Sequence, residues 1–164
     1  MGKYTKKLLA AQAEGMLTEF PEGSKEFDML AEEGFLIHWT SNEDLNEADI
    51  HTHGVEAILG ATELRIVLPV RPEMAATIFH IVVDHAKKTG PLKPGVLNGL
   101  LKGGVPLLLV EDADEHQNRL LRVIIPDPEG NIDEGKMAPE YAAQFHSLPG
   151  RDHPSEPESG PMVH

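Results

Sequence analysis

The sequence predicts an α+β fold: a mostly antiparallel sheet of about five strands, in the order β-β-β-α-β-β, with one long helix packed across a face. Three observations lead there. Between residues 35 and 68 apolar side chains recur with a period of two. From Pro72 to Thr89 the period changes to that of a helix, with start and stop signals at both ends. Beyond residue 104, two further extended runs flank a polar loop of hairpin size.

In chain order, residues 5–17 read as an amphipathic helix, with Leu9, Ala13, Met16 and Leu17 at helical spacing and Thr5 as its cap. Pro21-Glu22-Gly23-Ser24 forms a turn, and Ser24 is well placed to cap a second helix that presents Phe27, Leu30 and Ala31 on one face and stops at Gly34. These helices form an N-terminal helical appendage, residues 1–34. The α+β domain follows over 35–146. Its first strand is 35–40, where Phe35, Ile37 and Trp39 alternate with Leu36, His38 and Thr40. An acidic loop spans 42–49, a second strand 50–57, and a third 63–68, closed by Pro69.

The helix 72–89 has Pro72 at its first position, Glu73 near its positive end, and Lys87 and Lys88 near its negative end, before Gly90-Pro91. Apart from a polar stripe along Glu73, Thr77, His80, Asp84 and Lys87 it is apolar, so most of its circumference is expected to be covered. Residues 91–104 carry several Gly and Pro, with one helical turn expected around 96–101. Strands at 105–110 and 120–125 flank the loop 111–118, and a short helix is expected at 139–145. The remaining 147–164 are rich in Pro, Ser, Glu and Gly and are expected to be a disordered acidic tail.

Composition excludes several function classes. The net charge is −13, and no stripe of Lys or Arg is present to neutralise phosphates, so nucleic acid is not an expected partner. No apolar run approaches the roughly 20 residues of a membrane span, and Gln12 and Glu14 cut the N-terminal apolar stretch too short for a signal peptide. The absence of cysteine removes disulfides, thiolate metal sites and cysteine nucleophiles. A cytoplasmic location is expected.

The one pointed motif is Ile50-His51-Thr52-His53-Gly54-Val55-Glu56. On a strand, His51 and His53 point the same way. Two imidazoles so placed can supply half of a tetrahedral zinc set, and His38 or Glu56 is the expected third ligand. On its own the pair reads first as a half-buried polar face hydrogen-bonded to backbone, with Gly54 allowing a bulge, ahead of a metal site. His38, His51, His53 and Glu56 are also candidates to line a polar groove for a ligand, and a cluster titrating near pH ~6.5 is a further reading. Other polar runs carry less. His80 and Asp84 have the spacing of a surface helix pair. The alternations Asp112/Asp114/His116 and Asp127/Glu129/Asn131/Asp133 lack the glycine and terminal acid of a calcium loop and read as polar turns. The Gly-rich stretch 95–104 lacks the Gly-Lys-Ser/Thr of a phosphate loop.

Taken together, the histidine run, Leu64-Arg65-Ile66-Val67-Leu68-Pro69, the helix after Pro72, and Leu121-Arg122-Val123-Ile124-Ile125-Pro126-Asp127-Pro128-Glu129-Gly130 resemble an uncharacterised bacterial family, domain of unknown function 4262. The similarity spans roughly residues 33–146, with Val55 where leucine is usual. It implies a cytosolic bacterial domain and transfers no catalytic residue. The functional expectation is therefore a non-enzymatic binding or accessory protein, of immunity or regulatory type, that engages a protein partner or small ligand. The alternative is a metal-dependent hydrolase holding zinc or another divalent ion on His51 and His53.

Overall fold

A computed structural model describes residues 2–42 and 47–147, the side chains of 41, 42 and 47 excepted. The tail expected to be disordered lies, from residue 148 onward, outside the described residues, as does the middle of the expected 42–49 loop. The architecture is α+β. Helices α1 (Thr5–Ala13) and α2 (Lys25–Glu33) precede strands β1 (Leu36–Asn42), β2 (Glu47–His53) and β3 (Leu64–Ile66). Helix α3 (Pro72–Thr89) leads to β4 (Gly95–Leu97), β5 (Leu107–Ala113), β6 (Arg119–Ile124) and the short helix α4 (Pro139–Ala142).

The strands form one six-stranded sheet ordered β1-β2-β3-β6-β5-β4. Every neighbouring pair is antiparallel except β3 with β6, which is parallel. The sixth strand is β4, at the edge, where a helical turn was expected. Three residues are too few to leave a period, and backbone pairing with β5 defines it. The strand bounds also move. β2 begins at Glu47, inside the expected loop, and stops at His53; β5 continues to Ala113, past the expected 110. Residues 55–59 form a single π turn, not the end of the strand. The chain enters it through Gly54, whose φ of 103° favours glycine. A Cβ there would lie 2.7 Å from a Leu30 methyl and 3.0 Å from the Gly34 carbonyl oxygen. The glycine of the His-Thr-His-Gly run is thus a close-packing requirement between β2 and α2.

The sheet has two unlike faces. On one, Ile50, Leu64, Ile66, Leu107, Leu109, Leu121 and Val123 pack with Ala75, Ile78, Phe79, Val82, Val83 and Ala86 of α3 in a single aliphatic core. Phe35, Ile37 and Trp39 join them, as their alternation predicts. At about 25 cal/mol per Å² of apolar surface removed from water, this is the principal source of stability. The other face carries Leu36, which joins Leu8, Phe27, Leu30, Ala31 and Ile58 in a second cluster under α1 and α2. Farther along that face the residues are polar. Ser24 caps α2 by accepting from the Phe27 N–H at 3.1 Å, as expected. Helix α1 differs, ending at Ala13 with Tyr4 as its cap residue, while Thr5 is helical and its hydroxyl donates to the Gly2 carbonyl. The Gln12 amide donates to the Leu17 and Phe20 carbonyls, fixing the loop that follows. Among the described residues no helix is long and apolar enough to cross a membrane.

Candidate metal centre

The polar face is organised by strand register. His38 lies opposite His51, His51 opposite Arg65, and Arg65 opposite Arg122, so four polar side chains form one row across β1, β2, β3 and β6. His53, two residues beyond His51, falls beside that row. Alternation puts His51 and His53 on one face, and their rings converge to a centroid separation of 4.9 Å. The His38 ring lies 5.2 Å from each. Each histidine can therefore offer one ring nitrogen to a group whose members all lie within 4.8 Å of one another. His38 Nδ1 and His53 Nε2 are 3.1 Å apart. Two nitrogens bound to one tetrahedral zinc at about 2.0–2.1 Å stand roughly 3.3 Å apart, so the pair is already near chelating distance.

Several groups hold the rings in place. His51 Nδ1 is 3.3 Å from Asp49 Oδ1, the kind of carboxylate contact that orients an imidazole. The Phe20 ring packs 5.8 Å from that of His53, brought there by the Gln12-anchored loop. Beneath β2, Glu63 fixes the strand end. It accepts from the Thr52 hydroxyl at 2.7 Å and from the backbone N–H groups of Gly54, Val55 and Glu56 at 3.0–3.2 Å. Burial pushes the Glu63 carboxyl above its ordinary range in spite of these donors.

Asp49 joins the histidines to a buried ion ladder. Arg65 Nε and Nη2 donate to its two oxygens at 3.0 and 3.3 Å. Arg65 Nη1 donates to Asp112 at 3.2 Å, and Arg122 Nε donates to the same Asp112 oxygen at 2.9 Å. Arg122 then reaches the Gln144 carbonyl at 2.8 Å, while the Gln144 side chain pairs with both backbone groups of Ile125. Arg65 is 2% exposed and Arg122 4%. Burial opposes the ionised form of Asp49, yet the His51 hydrogen bond and the Arg65 guanidinium outweigh it, and the carboxyl titrates below its usual range. Burial likewise opposes the charge on Arg65, and Asp49 and Asp112 more than offset it, raising its pKa. Two carboxylates and two guanidiniums leave the ladder neutral.

Of the four sequence-derived candidates, His38, His51 and His53 are brought together and Glu56 is not. Glu56 is exposed on the π turn, and it is its backbone N–H that is used, by Glu63. Asp112 belongs to β5 and the ladder, so it is not part of a polar turn; Asp114 does hold a turn, accepting from the His116 and Asn118 N–H groups. His80 packs on Phe35 at 4.9 Å, and Asp84 pairs with Lys87 in place of His80. Sequence reasoning left Asp49 at the end of the acidic loop, near the pair, and missed Glu63, Arg65, Asp112 and Arg122 as site residues. The available signal was Arg65 itself, a charge inside an apolar strand, which calls for a buried partner. A cavity of about 610 Å³ lies elsewhere, against Val67–Val70 and the segment from Glu140 to Ser147, and none of the three histidines lines it.

No protein-family model matches this chain, and searches of curated proteins and of solved structures find no match either.

Proposed function

We propose that this protein is a small metal-binding domain that holds one divalent ion, zinc by ligand preference, on His38, His51 and His53. The observation that carries the reading is the convergence of three imidazole nitrogens, from two paired strands, within 4.8 Å. Three neutral nitrogen donors suit zinc and its neighbours better than calcium or magnesium, which take oxygen. The Asp49 carboxylate behind His51 supplies the outer support that ligating imidazoles commonly have. On this reading the domain works as a binding or accessory protein: the nearest supporting acid, Asp49, is committed to His51 and Arg65 and is not placed as a base. A cytoplasmic, bacterial setting and the resemblance to domain of unknown function 4262 belong to the same proposal, on the cysteine-free composition and the residues quoted for that family. Elemental analysis of protein purified without an affinity tag tests it. One zinc per chain is expected, lost in His51→Ala/His53→Ala; metal-free protein that takes up no zinc on dialysis contradicts it.

The hydrolase reading draws on the same three nitrogens, because a three-histidine set with an open position is also a catalytic zinc pattern. It requires zinc-loaded protein to hydrolyse an activated ester and His53→Ala to lose that activity.

A further inference from the structure

We propose that Phe20 is a positioning residue of the metal site: acting through the His53 ring it raises the affinity for the ion, and the bound ion in turn holds the loop that carries Phe20. The inference rests on the metal-binding reading above and makes the N-terminal segment a working part of that same site.

The contact is built by the chain that follows α1. The helix stops at Ala13, Gly15 turns with a φ of 88°, and Leu17 takes a φ of 57°, in the left-handed region that favours glycine. A leucine keeps such a backbone only where its surroundings hold it. The side-chain amide of Gln12 does so, donating to the Leu17 carbonyl at 3.0 Å and to the Phe20 carbonyl at 2.8 Å. The Phe20 N–H donates to the Leu17 carbonyl at 3.2 Å and closes the turn. Leu17 and Phe20 also pack against the cluster of Leu8, Phe27 and Leu30. Held by the amide and by this packing, the Phe20 ring stands 5.8 Å from the His53 ring, tilted by 57°. Both values lie in the range that aromatic pairs prefer.

The effect on the ion follows from ring freedom. An imidazole turns about two side-chain torsions, and a ligand that must be ordered on binding costs affinity; a neighbour that fixes it beforehand removes that cost. Asp49 serves His51 in this way through a hydrogen bond, and Phe20 serves His53 through packing. The coupling is reciprocal: whatever the loop adds to the hold on the ion, the ion adds to the hold on the loop.

Zinc affinity of the full chain is measured by chelator competition for the parent, Phe20→Ala, Phe20→Tyr and Gln12→Glu, and amide exchange of residues 15–20 is followed with and without zinc. Phe20→Ala is expected to bind zinc about 3–10-fold more weakly, the worth of one aromatic pair. Gln12→Glu, of the same size but without the two donors, is expected to lose a similar factor. Phe20→Tyr keeps the ring and should match the parent. Zinc should slow exchange in the parent and in Phe20→Tyr but not in Phe20→Ala, a response that a merely structural role would not produce. Unchanged affinity in Phe20→Ala, a tyrosine variant as weak as alanine, or exchange indifferent to zinc overturns the inference and leaves the metal site standing. Should Phe20→Ala fail to fold, Gln12→Glu decides by the same two readings. A parent that takes up no zinc removes the metal-binding reading, and this inference with it.

Discussion

The two faces of the central sheet solve opposite problems with the same strands. On the α3 side, Ile50, Ile66, Leu109 and Val123 meet Phe79 and Val82 in continuous aliphatic packing. On the other side, residues of the opposite alternation in those strands, Asp49 and His51, Arg65, Arg122 and Asp112, build a row of ions and imidazoles that is nearly as well buried at its centre. The apolar face stabilises through area removed from water, which is tolerant of detail. The polar face has no such tolerance, because each buried charge depends on a named partner. At its half-buried end the ladder gives way to three histidines, with His51 against Asp49 and His38 against His53. The ladder is held by fixed charge pairs, while the three rings meet one another at its end.

The largest effects compare the faces directly. Asp112→Ala leaves the buried Arg122 guanidinium without its carboxylate and takes one of two from Arg65, and is expected to cost about 3–5 kcal/mol. Phe79→Ala empties a fully buried site opposite and is expected to cost a similar ~3–5 kcal/mol. Urea denaturation measures both; an Asp112 variant as stable as the parent would show that the ladder is incidental. Asp49 links ladder and histidines, so Asp49→Asn should lower stability and also weaken zinc binding about 10–100-fold in a chelator competition, the usual cost of losing a ligand's outer partner. Loss of stability without loss of affinity would detach the two regions.

Smaller is the effect of Glu63. Its folded-state pKa lies above the ordinary 4.5, so the folded state binds that proton more tightly than the unfolded chain. Its contribution therefore favours folding below pH 4.5 and fades as the pH rises through the elevated value. Stability measured against pH should fall across that window in the parent and lose this component in Glu63→Gln. Smallest of all, His38→Ala should change the stability of metal-free protein by no more than about 0.5 kcal/mol, since the side chain is only partly buried. A larger loss would make His38 part of the scaffold.

How much of this was legible in the sequence follows from how local each signal is. Helix α3 carries its start, stop and face within 18 residues, and Ser24 caps its helix through a bond of three residues' span. The shared face of His51 and His53 follows from alternation, and His38 entered as a neighbour in sequence. Arg65, by contrast, meets partners 16 and 47 residues away. The first depends on β2 pairing with β3 and the second on β3 lying beside β6 in parallel, which no single stretch of sequence records. Residues 55–57, the first part of the π turn, were read as the end of the strand, and only the fit of Gly54 against Leu30 and Gly34 shows the chain turning there.

X-ray absorption at the zinc edge, on tag-free protein carrying one zinc, tests the central claim most directly. The account predicts three imidazole nitrogens at about 2.0–2.1 Å plus one oxygen scatterer, with the imidazole count falling in His38→Ala. A shell made only of oxygens, or one unchanged by loss of His38, would contradict it.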